Sequence, residues 1–425
     1  MLGLGAAGES AARALLARGW DVVVADDVPS DAARERAGRL GLTLSAPTLD
    51  VDVVVPGPSV PITHPVVVAA LERGLRVWSE FELAAQWTET PMVAITGTDG
   101  KTTVTTLVEQ MLSASGLRTV AAGNMDPPLV DVLDRDLDVI VVEASSFRLE
   151  FTDTFRPVVG LWLNLAPDHL DVHPSMEHYA RAKAKIWAHQ RAGDLAVANA
   201  EDPVVATYAA SAPSRVETFG LATGDWHVED DRLVMPDGDT LLRTGELFRA
   251  LPHDCTNALA AAASALGAGA TVDGVRAALR AFRGLPHRVS LVGDHEGVRY
   301  YDDSKATGPN AVLAALRAFD SVVLIAGGRS KVDDLGSLAS DPARVRAVVA
   351  IGEASALVER AFAGVRPVEV ATSMDDAVAR ARRLAQPGDV VLLSPGCASW
   401  DWYNGYAERG DDFARAVREM AGAST

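Results

Sequence analysis

Met92-Val93-Ala94-Ile95-Thr96-Gly97-Thr98-Asp99-Gly100-Lys101-Thr102-Thr103 decides the fold. Met92–Ile95 reads as a short buried strand, and 105–114 reads as a helix. A strand, a glycine loop ending in Gly-Lys-Thr and a helix are the parts of a phosphate-binding loop. Backbone N–H groups of such a loop cradle phosphate oxygens. Lys101 would carry a point charge to the outer phosphates, and Thr102 would offer a hydroxyl to magnesium. Ile95 stands where the general pattern has glycine, so the loop is a shortened variant. Lys101 is expected to be an exposed loop cation whose partner is the ligand.

Lysine usage sharpens this reading. Of 39 basic residues only Lys101, Lys183, Lys185, Lys305 and Lys331 are lysine; the rest are arginine. Arginine stays protonated and carries a broad fork, whereas lysine is a compact charge whose amine can lose its proton and react. Random survival would scatter the five. Instead Lys101 ends the phosphate loop, and Lys183 and Lys185 sit in Tyr179-Ala180-Arg181-Ala182-Lys183-Ala184-Lys185-Ile186. Lys305 and Lys331 fall in loops after strands. At spacing i, i+2 on a helix, Lys183 and Lys185 point different ways and do not share a task.

Outward from the loop the pattern is α/β. Short β-branched runs alternate with Ala/Leu/Arg-rich amphipathic stretches, which implies βαβ units and parallel sheets. Three domains are expected: 1–89, 90–284 and 285–425. Strands are expected at 22–25, 51–55 and 76–78 in the first. The second has them at 92–96, 139–143, 158–164 and 195–198, a β-rich excursion over 215–245 and a closing helix at 257–266. The third has them at 298–302, 322–326, 347–351 and 390–394. The chain opens with Gly3-Leu4-Gly5-Ala6-Ala7-Gly8, a pattern that lets backbone approach a pyrophosphate at a helix N-terminus, with Asp26 ending the next strand. A bare β–α turn would carry the same glycines. A parallel strand needs about five residues. Only Met1 and Leu2 precede Gly3, so the first strand is expected to be missing and the turn to lose its anchor.

Other residues with chemistry follow strands, the edge where α/β ligands bind. Val141-Val142-Glu143-Ala144-Ser145-Ser146-Phe147 puts the Glu143 carboxylate at a buried strand end, where it could face Thr102 across a magnesium ion. Asn164-Leu165-Ala166-Pro167-Asp168-His169-Leu170-Asp171 offers the His169 imidazole and the Asp168 carboxylate. In the last third, Leu285-Pro286-His287-Arg288, Tyr301-Asp302-Asp303-Ser304-Lys305-Ala306-Thr307, Gly327-Gly328-Arg329-Ser330-Lys331 and Leu393-Ser394-Pro395-Gly396-Cys397-Ala398-Ser399-Trp400-Asp401 gather cations and hydroxyls suited to carboxylates.

Composition narrows the classes. The net charge of −18 argues against a nucleic-acid partner or an anionic membrane surface. Two cysteines make no disulfide framework and fit a reducing, cytoplasmic setting. The apolar stretch 53–71 is broken by Pro56, Pro58, Pro61 and Pro65, so no membrane span is expected, and no basic segment precedes an apolar one, so no signal peptide is expected.

The chain resembles the Mur ligase family across nearly its whole length. Thr96-Gly97-Thr98-Asp99-Gly100-Lys101-Thr102-Thr103 carries the family pattern. Glu143-Ala144-Ser145-Ser146-Phe147-Arg148-Leu149-Glu150, Asp303-Ser304-Lys305-Ala306-Thr307 and Ser394-Pro395-Gly396-Cys397-Ala398-Ser399 resemble its D-glutamate-adding branch. The resemblance implies a Rossmann-like N-terminal domain, a central P-loop ATPase-like domain with a mostly parallel sheet, and a Rossmann-like C-terminal domain. It implies ATP-dependent joining of D-glutamate to UDP-N-acetylmuramoyl-L-alanine through an acyl phosphate, in a monomer with two magnesium sites. ATP would be held by Gly97, Thr98, Asp99, Gly100, Lys101, Thr102 and Thr103, with Asp254, Asn257, Arg288 and Asp303. The uridine substrate would meet Gly3, Gly5, Gly8, Asp26, Ser59, Asn124 and His169. D-Glutamate would meet Lys305, Thr307, Lys331, Ser399 and Tyr406. Magnesium would be held by Thr102, Glu143, His169 and Lys183, the last as a carbamate, and Lys101, Glu143, His169 and Lys183 would be catalytic.

Three residues depart from the pattern: Val28 where arginine is usual near uracil, Asp254 where asparagine usually faces adenine, and Asp99 for asparagine in the phosphate loop. An ionised Asp254 could accept from an exocyclic amine but not donate to a ring nitrogen. Two alternatives compete. A neighbouring ligase that adds the third residue would carry Asp-Asn-Pro-Arg, which is lacking. A silent scaffold would have lost the lysines, and all five are present.

Overall fold

Strand β5 (Met92–Thr96) lies at the centre of a six-stranded parallel sheet. The computed structural model describes residues 1–27, 29–169, 172–330 and 332–422, so Val28 and Lys331 lie outside the described residues. They form two compact units, Met1–Phe282 and Arg283–Thr425.

The first unit begins with four two-residue strands, β1 (Val24–Ala25), β2 (Leu44–Ser45), β3 (Val53–Val54) and β4 (Arg76–Val77), paired β1–β2 and β3–β4 in parallel. Leu2 joins the pairs. Its N–H donates to Val55 O at 2.9 Å and its carbonyl accepts from Gly57 N at 2.7 Å. On the other edge Ala25 N donates to Met1 O at 2.9 Å and Gly3 N to Ala25 O at 2.8 Å. The turn at Gly3–Gly8 therefore keeps an anchor, contrary to the expectation, because neighbours on both sides supply ladder partners to a two-residue stub.

The central sheet runs β10-β9-β8-β5-β7-β6, adding β6 (Thr119–Gly123), β7 (Val139–Glu143), β8 (Val159–Trp162), β9 (Leu195–Asn199) and β10 (Arg215–Phe219). Every residue of β5 and β7 is buried. The period of two sends their side chains into different cores. Val93, Ile95, Val139 and Val141 pack with the helices Lys101–Ala114 and Pro252–Gly267. Met92, Ala94, Ile140 and Val142 pack with Glu80–Trp87 and Met176–Ala188. The β-rich excursion is β10 followed by an antiparallel meander of β11 (His227–Glu229), β12 (Arg232–Val234) and β13 (Thr240–Arg243).

In the second unit β14 (Ser290–His295), β15 (Val298–Asp302), β16 (Val322–Gly327), β17 (Val345–Ile351), β18 (Val368–Val370) and β19 (Val390–Leu393) form a sheet in the order β14-β15-β19-β16-β17-β18. Only β14 is antiparallel.

Several elements differ from expectation, among them the strands β2, β6 and β18, which fall outside the expected ranges. The helix after the phosphate loop starts at Lys101 rather than 105, since Gly100 is its N-cap. The helix Val272–Ala281 follows the expected last helix of its unit, burying Val275, Ala278 and Leu279 at helical spacing. Strand β14 was hidden by a register shift between Leu291 and Gly293, which breaks its alternation.

Candidate active site

The phosphate loop is shaped by its glycines and clamped from β8. Gly100 has φ 86°, and a Cβ there would meet Asn257 Oδ1 at 3.1 Å and Leu163 Cδ1 at 3.3 Å. Asn164, two residues past β8, accepts from Thr98 N (3.0 Å) and Asp99 N (2.9 Å) with Oδ1, and its Nδ2 donates to Asp99 O at 3.2 Å. The Thr98 hydroxyl donates to Ala166 O (3.2 Å) and accepts from Ala166 N (3.0 Å). The sequence pointed to Asn164 only through its position after a strand end. Thr102 and Thr103 lie half-buried in the first turn of Lys101–Ala114.

Lys101 corrects an expectation. It is half-buried, and Nζ donates to Gly97 O at 2.8 Å and Thr98 O at 2.7 Å, folded back over its own loop. Lys183, from the helix Met176–Ala188, reaches the same carbonyl: Nζ donates to Gly97 O at 2.6 Å and lies 4.5 Å from the Tyr179 ring centre. Its 1 % exposure makes it one of the most buried side chains. Burial, and next the charge of Lys101, hold its amine well below the ordinary lysine value, with Asp168 and Asp99 opposing. Lys185 points elsewhere, as its spacing requires, and donates to the carbonyl of Glu150 at the end of the helix Ser146–Glu150.

Glu143 ends β7 with 3 % exposure. Its Oε1 accepts from Asn124 Nδ2 at 3.0 Å, whereas Oε2 is buried with no hydrogen-bond partner. Behind Asn124 runs a buried relay that the sequence reading missed. Arg148 donates from Nη1 to Asn124 Oδ1 at 2.8 Å and from Nε to Glu80 Oε2 at 3.0 Å. Burial raises the Glu80 carboxyl above its ordinary range, against the pull of Arg148 and of the Val130 and Leu129 N–H groups. His169 takes φ 54°, left-handed for a non-glycine residue, with Nε2 3.3 Å from Asp168 Oδ2 and its ring edge-on to Phe147 at 4.8 Å.

Of the residues expected on the adenine side, Asn257 abuts Gly100. Asp254 is engaged locally: it accepts from Arg249 Nε at 2.7 Å and Nη2 at 2.8 Å, and from Leu251 N at 3.2 Å. Its carboxylate closes the start of the helix Pro252–Gly267.

In the N-terminal turn each glycine has a separate task. A Cβ on Gly8 would lie 2.3 Å from Gly3 O, so the helix Ala6–Ala17 packs on the turn only with glycine there. Gly5 is the helix N-cap with open space beside it. Asp26 Oδ2 accepts from Leu4 N at 3.0 Å and so holds the turn itself. Ser59 is exposed in the loop after β3, whose Gly57 packs on Gly3. A small pocket joins Gly8, Gly57 and Pro58 to Glu80 and Arg148, so the N-terminal turn and the Asn124 relay share a wall.

In the second unit the ends of β15, β19 and β16 are adjacent, since Asp302 pairs with Leu393 and Leu393 with Ile325. Their loops are tied together by Gly396 N to Ala306 O at 2.9 Å and Gly327 N to Pro395 O at 2.8 Å. Asp303 is buried, its Oδ2 accepting from Ser394 Oγ at 2.7 Å; burial lifts its carboxyl to about 7, with Ser394 and Arg288 pulling down. Lys305 Nζ sits 3.8 Å from the Tyr406 ring centre. Ser399 is buried, and Thr307 and Arg288 are half-buried. Arg409, which the sequence reading missed, is 1 % exposed and bonds Ser304 and the Cys397 carbonyl, fastening the same loops from beneath.

Comparison with known proteins places this geometry. Residues 95–265 match the Mur ligase middle domain, and 287–397 match the Mur ligase glutamate ligase domain. A UDP-N-acetylmuramoylalanine–D-glutamate ligase of Pelotomaculum thermopropionicum is 40% identical, over 99% of this chain and 97% of the relative. One of Frankia casuarinae is 42% identical, over 99% and 94%. Among solved structures, a pseudomurein peptide ligase type C from Methanothermus fervidus has the same fold at TM-score 0.64 and 18% identity, covering 99% of each chain. A UDP-N-acetylmuramate-alanine ligase from Thermotoga maritima does so at TM-score 0.60 and 20% identity, covering 99% of this chain and 98% of the other. With a clamped phosphate loop, two lysines on one loop carbonyl and likeness along its whole length, the chain belongs to the Mur ligase family.

Proposed function

We propose that this ATP-dependent ligase joins D-glutamate to UDP-N-acetylmuramoyl-L-alanine, a step in building the peptidoglycan precursor. The observation that carries the substrate assignment is identity of about 40% to relatives of that name along nearly all of both chains. The site supports the chemistry. An oxygen of the alanyl carboxylate attacks the γ-phosphorus of ATP, the bond to ADP breaks, and an acyl phosphate forms. The D-glutamate amine then attacks the acyl carbon. Phosphate leaves from the tetrahedral intermediate as the amine sheds a proton. Such phosphoryl transfer is catalysed by positioning and charge neutralisation.

Loop N–H groups of 97–103 and the Lys101 ammonium meet the phosphates, with Lys101 released from Gly97 O and Thr98 O when a better acceptor arrives. Asn257 lies against the loop on the adenine side; Asp254, Arg288 and Asp303 are assigned to ATP on the family resemblance. The N-terminal turn, Asp26, Ser59, Asn124 and His169 receive the uridine substrate. Lys305, Thr307, Lys331, Ser399 and Tyr406 receive D-glutamate.

Magnesium fits the residues present. Glu143 Oε2 is a buried carboxylate oxygen without a partner, the kind of donor a hard cation takes. Thr102, Glu143, His169 and a carbamylated Lys183 would hold two ions. Bound magnesium would supply positive charge to the phosphate oxygens. Carbon dioxide adds only to a neutral amine, and burial favours that form of Lys183. The enzyme acts in the cytoplasm as a monomer on small molecules, with no nucleic-acid or membrane partner; no helix among the described residues is long and apolar enough to cross a membrane.

The test is ADP release from purified protein. It should require both the uridine substrate and D-glutamate, and L-glutamate should not replace the latter. Equal turnover with L-glutamate, or turnover with a diamino acid on the dipeptide precursor, would overturn the assignment.

A further inference from the structure

We infer that Glu150, His173 and His178 form a second metal site, separate from the magnesium residues and suited to a zinc-class divalent cation. Among the described residues these three present a compact His/Glu donor group, with one ligand atom from each within 4.8 Å of the others. His173 Nδ1 lies 3.1 Å from His178 Nδ1, while the opposite nitrogen of His178, Nε2, lies 3.9 Å from Glu150 Oε1, so an ion would take one His178 nitrogen and draw in the third donor. Ligand atoms about 2.0–2.2 Å from a tetrahedral ion stand roughly 3.3–3.6 Å apart, so from separations within 4.8 Å the group closes on an ion by rotation of its side chains.

The donors sit on supported elements. Glu150 ends the helix Ser146–Glu150, and Lys185 fastens its carbonyl. His178 lies in the first turn of Met176–Ala188, its N–H bonded to Ser175 Oγ at 3.1 Å. His173 is fully buried. Its other nitrogen, Nε2, is 2.9 Å from Ser146 Oγ, and its ring stacks on Phe147 at 5.4 Å and 12°. A partner on the far nitrogen is what orients a ligating imidazole and fixes its tautomer. Two imidazoles and one carboxylate are a donor set that zinc takes and that magnesium, which prefers oxygen, does not.

Phe147 stacks on His173 and meets His169 at 70°, so it touches both this group and a residue of the proposed magnesium centre. A bound ion would pin the end of one helix to the start of another, the second of which carries Lys183. A proton shared between the two imidazoles is the arrangement that competes with an ion.

The experiment is cobalt titration of the full-length protein in saturating magnesium, read by visible absorption, with zinc competition by calorimetry. The parent should bind a single tight equivalent, with the intense absorption of a tetrahedral ion that zinc then displaces. His178→Ala and Glu150→Gln should lose that equivalent, whereas His169→Ala should keep it. No binding above magnesium by the parent would leave only the shared proton and overturn the proposal. So would an equivalent retained in both His178→Ala and Glu150→Gln, or lost in His169→Ala.

Discussion

Arg148→Met keeps the apolar stem and removes the guanidinium. Two hydrogen bonds vanish, Nε to Glu80 at 3.0 Å and Nη1 to Asn124 at 2.8 Å. The side chains of Arg148 and Glu80 are 7% and 5% exposed, so the loss strands a carboxyl that water cannot reach. Breaking a buried pair by removing one partner costs about 3–5 kcal/mol, or roughly 10²–10⁴-fold in the unfolding equilibrium of the first unit. The sign with pH follows from Glu80. Burial already raises its folded-state value, and losing the cation raises it further. A carboxyl raised in the folded state binds more protons folded than unfolded, so stability falls as pH rises above the unfolded value. The deficit of the variant should therefore shrink on acidification from neutral pH toward 5. Glu80→Leu combined with Arg148→Met removes both charges and should recover most of the stability. It should not recover ligation, because Asn124 still lacks the donor that holds it against Glu143. Urea midpoints by tryptophan fluorescence at several pH values, together with ADP release, measure both. A single variant losing under about 1 kcal/mol, or a double variant with full activity, would refute the relay.

Lys183→Ala should be nearly inactive and partly rescued by a small carboxylate, and Lys183→Arg inactive without rescue; a carbamate signal from labelled bicarbonate in carbon NMR should vanish in Lys183→Ala. Lys101→Ala should abolish ATP turnover. Of the two carbonyls Lys101 meets, Gly97 O keeps its bond from Lys183 and only Thr98 O loses its side-chain donor, so the variant should lose no more than about 1 kcal/mol of stability; a loss of several kcal/mol would show that Lys101 holds the loop together rather than waiting for a ligand. Gly8→Ala puts a methyl 2.3 Å from Gly3 O, so affinity for the uridine substrate should drop while ATP affinity, measured by calorimetry, holds; equal loss of both would contradict it. Asp303 titrates near 7 when folded, above the ordinary carboxyl value, so stability of the second unit should fall as pH rises from about 4 to about 7. Asp303→Asn should flatten that slope in pH-resolved thermal unfolding.

The central sheet was legible because it is buried on both faces: continuous apolar runs such as Met92–Ile95 and Val139–Val142 can be little else. The N-terminal strands were overdrawn because only two residues of each pair, and their hydrophobic runs continue into loops. Strand-end residues were legible where a distinctive side chain follows an apolar run, as with Glu143 and His169. The relay behind them was not. Glu80 and Arg148 lie 68 residues apart, and neither neighbourhood hints that a buried charge will be met by the other. His173 and His178 carried no signal of their own in the sequence; folding sets Glu150 and Ser146 beside them. Contacts at long sequence separation leave no periodic trace.

The lysine bias singled out two amines that share one loop carbonyl, and the structure adds a physical reason to propose a site there. Gly97 O accepts from Lys101 at 2.8 Å and from Lys183 at 2.6 Å. Two full ammonium charges on one carbonyl repel each other, and one of the pair is sealed from water. That conflict is relieved if the buried member is uncharged, which is the direction in which burial and Lys101 both drive Lys183. The helix Lys101–Ala114 fixes Lys101 at the loop, so Lys183 is the amine left to change. Neutral, it can take up carbon dioxide, and the carbamate reverses the interaction: an anion would then face Lys101 and any magnesium held by Glu143. Arginine at 183 could do neither, since its guanidinium does not give up its proton in this range. The same arrangement that makes two free ammonium groups unfavourable makes the proposed carbamate favourable, and the apparent surplus of charge at Gly97 is the reason to look for it.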